Sequence, residues 1–333
     1  MNASAHPRRS FLLFPAYPLQ GGMSMLIWEL LGAIVGAGFA SGREIASFFA
    51  QHHPWGYAGS ILAAVSIVWL ADTKLPASWR NHWPEWACKV LIVLMLLATG
   101  GAMLSGAGEI SSMLLPLKHA YWIGSVFTLM VAWLMAHRTV SGLAWISKAL
   151  LVVFTALMII SMVLPRTQIV EVGQSDPIQA LAHSICYSGF NAALLLPILQ
   201  RNSSTERKKS LFVTSFVLSV LLLGGNVVFQ LHPQILYEPL PFVSLTRQLG
   251  KPGFYLCGIC LYMAVLSTLT ACLRSLGKSL YAVAGIILIS LFGFHQVVEK
   301  AYMYLGGACC VMFLAAKFRN CAGKAFISRT DML

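Results

Sequence analysis

The stretch Trp28–Phe49, WELLGAIVGAGFASGREIASFF, is apolar enough to cross a membrane but poorly built to cross it as one helix. Gly32, Gly36, Gly38 and Gly42 fall within eleven positions, and each glycine in a helix interior costs about 1 kcal/mol relative to alanine. The run therefore invites the backbone to open. Opened backbone at membrane depth is tolerated only where it lines a cavity or is buried in protein, because lipid offers its amides and carbonyls no partners. The same spacing also suits a small-residue packing face between helices. Arg43 and Glu44 follow the glycines directly and Glu29 precedes them. An ionisable group near the bilayer centre costs about 2.5–3.5 kcal/mol on insertion scales, so such groups are kept where they face water, a partner or a ligand. The alternative for Arg43 and Glu44 is a local ion pair at the far end of the span.

Composition agrees with a lipid setting. Of 333 residues, 58% are hydrophobic and 10% charged, against about 45–50% and roughly 25% in soluble domains. A chain of this length has too little interior to hide that much apolar surface from water. Ten apolar stretches can be marked: Met25–Ala50, Tyr57–Ala71, Cys88–Leu115, Tyr121–Ala136, Leu143–Leu164, Ile178–Leu199, Leu211–Leu231, Phe254–Leu273, Leu280–Phe294 and Ala301–Ala316. The connections are short, so residues 23–318 read as a single transmembrane domain between a tail of residues 1–22 and a tail of residues 319–333. Arg8 and Arg9 before Phe11–Phe14 faintly imitate a signal peptide, but the run is short and interrupted by Pro15 and Pro18. It reads as a cytoplasmic tail, or as an overlong start with Met23 or Met25 the first residue.

The net charge of +12 would suggest nucleic acid in a soluble protein. Here the basic residues sit between the spans. With ten spans, 17 of the 23 Lys and Arg fall on the side of the N-terminus and 6 on the other, which places both termini in the cytoplasm by the positive-inside bias. The charge is topological and no nucleic-acid partner is expected. The eight cysteines lie mostly inside spans, and Cys257 and Cys260 read as small packing residues.

The sixth span carries a second polar interruption, Tyr187, Ser188, Gly189, Phe190 and Asn191, followed by Pro197. Breaks in spans one and six of a ten-span chain are what two five-helix repeats of opposite membrane orientation produce, here residues 25–165 and 177–317. Gly100, Gly101, Gly106 and Gly108 of the third span would let it approach the broken helices closely.

The run VGAGFASGREIASFF (Val35–Phe49), with MLSGAGEI (Met103–Ile110) and YSGFN (Tyr187–Asn191), resembles the YkvI-type bacterial membrane proteins of the amino acid, polyamine and organocation superfamily. The resemblance spans about residues 25–318 and implies an all-α membrane protein of the LeuT type, a 5+5 inverted repeat with helices 1 and 6 broken. It also implies a multi-pass protein of the bacterial cytoplasmic membrane.

Two opened helices present amides and carbonyls of opposite partial charge. Amides around Gly36, Ala37 and Gly38 are candidates for a solute carboxylate, and groups around Ser188, Gly189 and Asn191 for its ammonium. Phe39, Tyr187 and Phe190 are candidates to enclose the rest, although aromatic residues in a span are more often packing. On span eight, Ala264, Ser267 and Thr268 match a pattern of LeuT-type sodium symporters. The resemblance then implies a sodium site from the carbonyls of Gly32, Val35 and Ala264 and the hydroxyls of Ser267 and Thr268; the alternative is local bonding of those hydroxyls to the preceding turn. Glu29, Arg43, Glu44 and Glu109 are candidates for gating or proton coupling, and His183 is a weaker one.

The expectation is a secondary active transporter for a small amino-acid-like or amine solute, coupled to sodium in preference to protons, with lipid and solute as partners and no organic cofactor. A non-transporting channel, sensor or assembly subunit on the same fold is the alternative. An enzyme is not expected, since Cys and His are scattered and neither HExxH nor GxSxG occurs.

Overall fold

In the computed structural model the first apolar stretch is three short helices: α1 (Met23–Ile34), α2 (Ala37–Ala40) and α3 (Arg43–Phe48). The structure describes residues 23–72, 85–137, 143–165, 175–199 and 204–330; the tail of residues 1–22 lies outside them. The first kink comes at Gly36, which is extended at φ −80° and ψ −169°. The second comes at Gly42, whose φ of 83° is left-handed, a conformation that glycine adopts without a Cβ penalty. Ser41 stabilises this second kink: its hydroxyl donates to the Gly38 carbonyl at 2.8 Å and accepts the Arg43 amide at 3.2 Å.

The remaining long helices are α4 (Gly56–Ala71), α5 (Glu85–Leu114), α6 (Ala120–His137), α7 (Leu143–Val163), α8 (Pro177–Leu199) and α9 (Ser204–Leu231). Two 3₁₀ turns, Pro233–Ile235 and Thr246–Leu249, flank α10 (Pro241–Leu245) in a strap that leads into α11 (Gly250–Ser275). Then come α12 (Leu280–Ser290), α13 (Phe294–Gln296), a π-helical turn over Val297–Ala301, and α14 (Tyr302–Thr330). No strand occurs among the described residues. Helices α14 and α4 pack along α8, while α5 packs on α6, α11 and α12.

Among the described residues, five helical stretches are long and apolar enough to cross a membrane: Val90–Leu114, Ala120–His137, Arg207–Leu231, Pro241–Ser275 and Phe294–Phe318. Shorter apolar helices cover Gly56–Ala71, Leu151–Val163 and Leu280–Ser290. Large apolar side chains also face outward, among them Val65 and Trp69 on α4, Val126, Phe127 and Met130 on α6, and Phe212 and Phe216 on α9. A water-facing surface seldom carries so many, and the chain is a multi-pass membrane protein in contact with lipid. At one end of the bundle, basic side chains satisfy helix C-terminal carbonyls that would otherwise lack partners. Arg207 donates to the Ala71 carbonyl at 2.9 Å and pairs with Asp72 at 3.3 Å, and Arg274 donates to the Met135 carbonyl at 2.9 Å.

Two expectations are corrected. The sixth stretch is not broken: α8 runs without interruption through Tyr187–Asn191. Gly189 serves close packing there, since a Cβ would overlap the Gly306 carbonyl of α14. The glycines of α5 admit other neighbours than the first stretch: Gly100 and Gly101 face Ile286 and Ile289 of α12, Gly106 faces Phe294, and Gly108 faces Tyr121 and Ser125 of α6. The described part of the C-terminal segment, residues 319–330, is helical and continues α14 beyond the apolar stretch that ends at Phe318.

Candidate functional site

The kink at Gly36 leaves a run of backbone without helical partners. Val35 and Gly36 form a bend that no helical turn crosses, so the amides from Gly36 to Phe39 make no helical bond back to the carbonyls from Gly32 to Val35. Helical bonding resumes when the Ala40 amide donates to Gly36 at 2.9 Å. Ala37, Gly38 and Phe39 are buried, so this unpaired backbone lies inside the protein, where such groups are costly unless something meets them. Phe39 packs edge-on against Phe154 at 5.4 Å.

Thr268 of α11 lies over the kink. A Cβ built on Gly36 would stand 3.7 Å from its Oγ1. Its neighbour Ser267 donates to the Ala264 carbonyl at 2.9 Å, the local bond that competes with ion coordination. The fold thus brings one of the two expected hydroxyls to Gly36 at the kink and turns the other back on its own helix.

The two charged residues that follow the second kink point apart. Arg43 is 2% exposed. Its Nη1 donates to the Leu236 and Glu238 carbonyls of the strap at 2.8 and 3.4 Å, and its Nη2 lies 3.8 Å from the Glu299 carboxylate in the π turn. Glu299 also contacts His295 at 2.9 Å. Arg43 and Glu44 therefore form no local pair. The strap closes over this point: the Phe242 amide donates to the Ser41 carbonyl at 3.0 Å, and the Phe242 ring covers Gly42 so closely that a Cβ would stand 2.7 Å from its edge. Phe154 and Phe229 hold that ring at centroid distances of 5.3 and 5.4 Å.

Glu44 turns inward. It is 5% exposed, and its carboxylate presses on Gly38, where any Cβ would collide with Oε1. The hydroxyls of Tyr187 on α8 and Tyr302 on α14 are its electrostatic neighbours, and Thr99 of α5 lies beside Tyr302. Yet Glu44 Oε2, the Tyr187 hydroxyl and the Thr99 hydroxyl are buried without a hydrogen bond of ordinary geometry. Aromatic rings enclose the group. Phe48 and Phe49 pack on Tyr187 at 5.3 and 5.0 Å, and Phe190 stacks on Tyr302 at 4.0 Å.

The other expected residues divide. Asn191 donates from Nδ2 to the Tyr187 carbonyl at 3.0 Å, which holds the turn that carries Tyr187. Ser188 bonds the Ser184 carbonyl at 2.6 Å and faces Ala63 of α4, so neither it nor Gly189 opens toward the kink. Glu109 lies beside Tyr121 where α5 meets α6, away from Gly36. The side chain of Glu29 lies outside the described residues. His183 donates from Nδ1 to the Ser47 carbonyl at 3.2 Å and packs on His52 at 4.3 Å. In the turn after α3, burial and then the neighbouring His183 bring His52 down to about 4. Tyr302, Thr99, Glu299 and Phe242 escape a reading of sequence; the only local signal among them is the charged pair Glu299–Lys300 at the start of an apolar run.

The chain is similar to the uncharacterized membrane protein YkvI of Bacillus subtilis (strain 168), at 21% identity over 327 residues covering 86% of this chain and 93% of that protein. No family model matches.

Proposed function

We propose that the protein is a secondary active transporter that moves a small amino-acid-like or amine solute by alternating access, coupled to a cation, with sodium favoured. On this reading the helices form ten crossings in two inverted five-helix repeats within the bacterial cytoplasmic membrane, both termini on the cytoplasmic side. The observation that carries it is the kink at Gly36, where helical bonding is interrupted inside an apolar bundle and leaves amides and carbonyls that a solute or ion can meet. The position of the Thr268 hydroxyl beside Gly36 supports a cation site there, because hydroxyl and carbonyl oxygens are hard ligands suited to a small cation.

The test is uptake by purified protein in liposomes under an imposed sodium or proton gradient, using labelled alanine and labelled putrescine as probes. Accumulation above the external concentration supports the reading. Downhill leakage alone supports a channel, and no flux of either probe, with sodium-independent stability, supports a sensor or assembly subunit.

A further inference from the structure

We infer that the Glu44 carboxylate is the counter-ion for a solute ammonium group, so that the solute is a primary amine and a solute without an ammonium is refused. The inference rests on the transport reading above in taking the kinked stretch as the solute site. It starts from an imbalance of charge. Glu44 is buried beside Gly38, next to the Tyr187 hydroxyl, and its Oε2 makes no hydrogen bond of ordinary geometry. Its sequence neighbour Arg43 is committed to Glu299 and to the strap carbonyls. Among the described residues no Lys, Arg or His forms an ion pair with Glu44. A carboxylate taken out of water with neither partner nor full hydrogen bonding is strongly unfavourable. The protein keeps this group beside the opened backbone, where either a proton or a bound cation must balance it.

The surroundings suit an ammonium. It carries three donors and no acceptor. Around Glu44 the Tyr187 hydroxyl and, beside Tyr302, the Thr99 hydroxyl are oxygen atoms that no hydrogen bond of ordinary geometry occupies. The rings of Phe48 and Phe49 stand 5.3 and 5.0 Å from the Tyr187 ring, centroid to centroid, and aromatic faces attract organic cations, most strongly where water is excluded. A bare sodium ion would gain less from such walls than an alkylammonium, whose methylene groups also take up apolar surface. The glycine at 38 completes the arrangement, because only a residue without a Cβ lets the carboxylate lie against the backbone at the kink.

The test is binding in detergent, without membrane or gradient, so that its outcome does not depend on transport. Butylamine, butanol and butyrate are titrated against the intact protein and read by thermal stabilisation and tryptophan fluorescence. Butylamine alone should bind, and Glu44→Gln should weaken it by about thirtyfold or more, as for removal of one partner of a buried charged pair. Glu44→Asp, which keeps the charge, should retain part of the affinity and guards against misfolding of the Gln variant. Equal binding of butylamine to wild type and to Glu44→Gln, or equal binding of butanol and butylamine to wild type, overturns the inference. Gradient-driven uptake that persists in Glu44→Gln overturns it as well, while leaving the transport reading in place. Butylamine binding that needs Glu44, with no flux in liposomes, upholds the inference and removes the transport reading.

Discussion

The carboxylate of Glu44 occupies the place where a side chain at position 38 would begin: a Cβ on Gly38 would overlap Oε1 and lie 2.8 Å from Cδ. Two residues six positions apart thus share one volume, and only because the chain kinks at Gly42 between them. At Gly36 the nearest atom to a Cβ is Thr268 Oγ1 at 3.7 Å, an ordinary contact. The two glycines therefore answer differently to the same substitution.

Gly38→Ala should destabilise the protein by about 1–3 kcal/mol, as overpacking does in a filled interior, whereas Gly36→Ala should fold nearly as well as wild type. Glu44→Ala should rescue the stability of Gly38→Ala. Thermal denaturation of the four variants in detergent forms a double-mutant cycle, and strictly additive effects would show that the clash is relieved elsewhere.

Sodium should raise the midpoint of thermal unfolding relative to choline at equal ionic strength. The gain should vanish in the Ser267→Ala, Thr268→Ala double variant. Thr268→Ala alone should remove most of it, because Ser267 already donates to the Ala264 carbonyl at 2.9 Å while Thr268 faces the kink. A sodium effect that survives the double variant places the ion elsewhere.

Arg43→Gln should loosen the strap more than Glu299→Gln does. The guanidinium makes hydrogen bonds at 2.8 and 3.4 Å to strap carbonyls, and hydrogen bonds to a charged group contribute about 1.5–3 kcal/mol. The Glu299 side chain is 37% exposed, with the pair at 3.8 Å, so solvent screens its contribution. Hydrogen exchange at Leu236–Glu238 should rise strongly in Arg43→Gln and little in Glu299→Gln; the reverse order would assign the strap's anchorage to Glu299.

Stability should fall as pH drops from about 6.5 towards about 4. In that window the unfolded His52 imidazole takes a proton while the buried one, down at about 4, does not. The unfolded state then binds more protons, and stability rises with pH. The contribution of His52 is complete above 6.5 and lost once the pH has passed through 4. The fall of the unfolding midpoint over this range should be shallower in His52→Gln than in wild type, and equal slopes would exclude His52 as its source.

The kinked first stretch is legible because its signals are local. Four glycines lower helix propensity within a few turns, and the charges beside them mark depth in the membrane. At the sixth stretch the same vocabulary misleads. Gly189 admits the Gly306 carbonyl, Ser188 bonds one turn back, and Asn191 bonds Tyr187, so each polar residue is satisfied in an intact helix. A lone glycine in an apolar helix looks alike whether it admits a neighbour or opens the chain. Tyr302 and Thr99 could not be read at all, since they reach Glu44 from helices far along the chain and nothing near them in sequence announces it.

The segment from Pro233 to Leu249 is bound to Ser41 through the Phe242 amide and to Arg43 through Leu236, while Tyr237 between them stands 78% exposed to its surroundings. An antibody fragment gripping Tyr237 would thus hold a lever whose other arm is the bend itself. Molecules confined to the aqueous phase could arrest or release the interior without ever entering it.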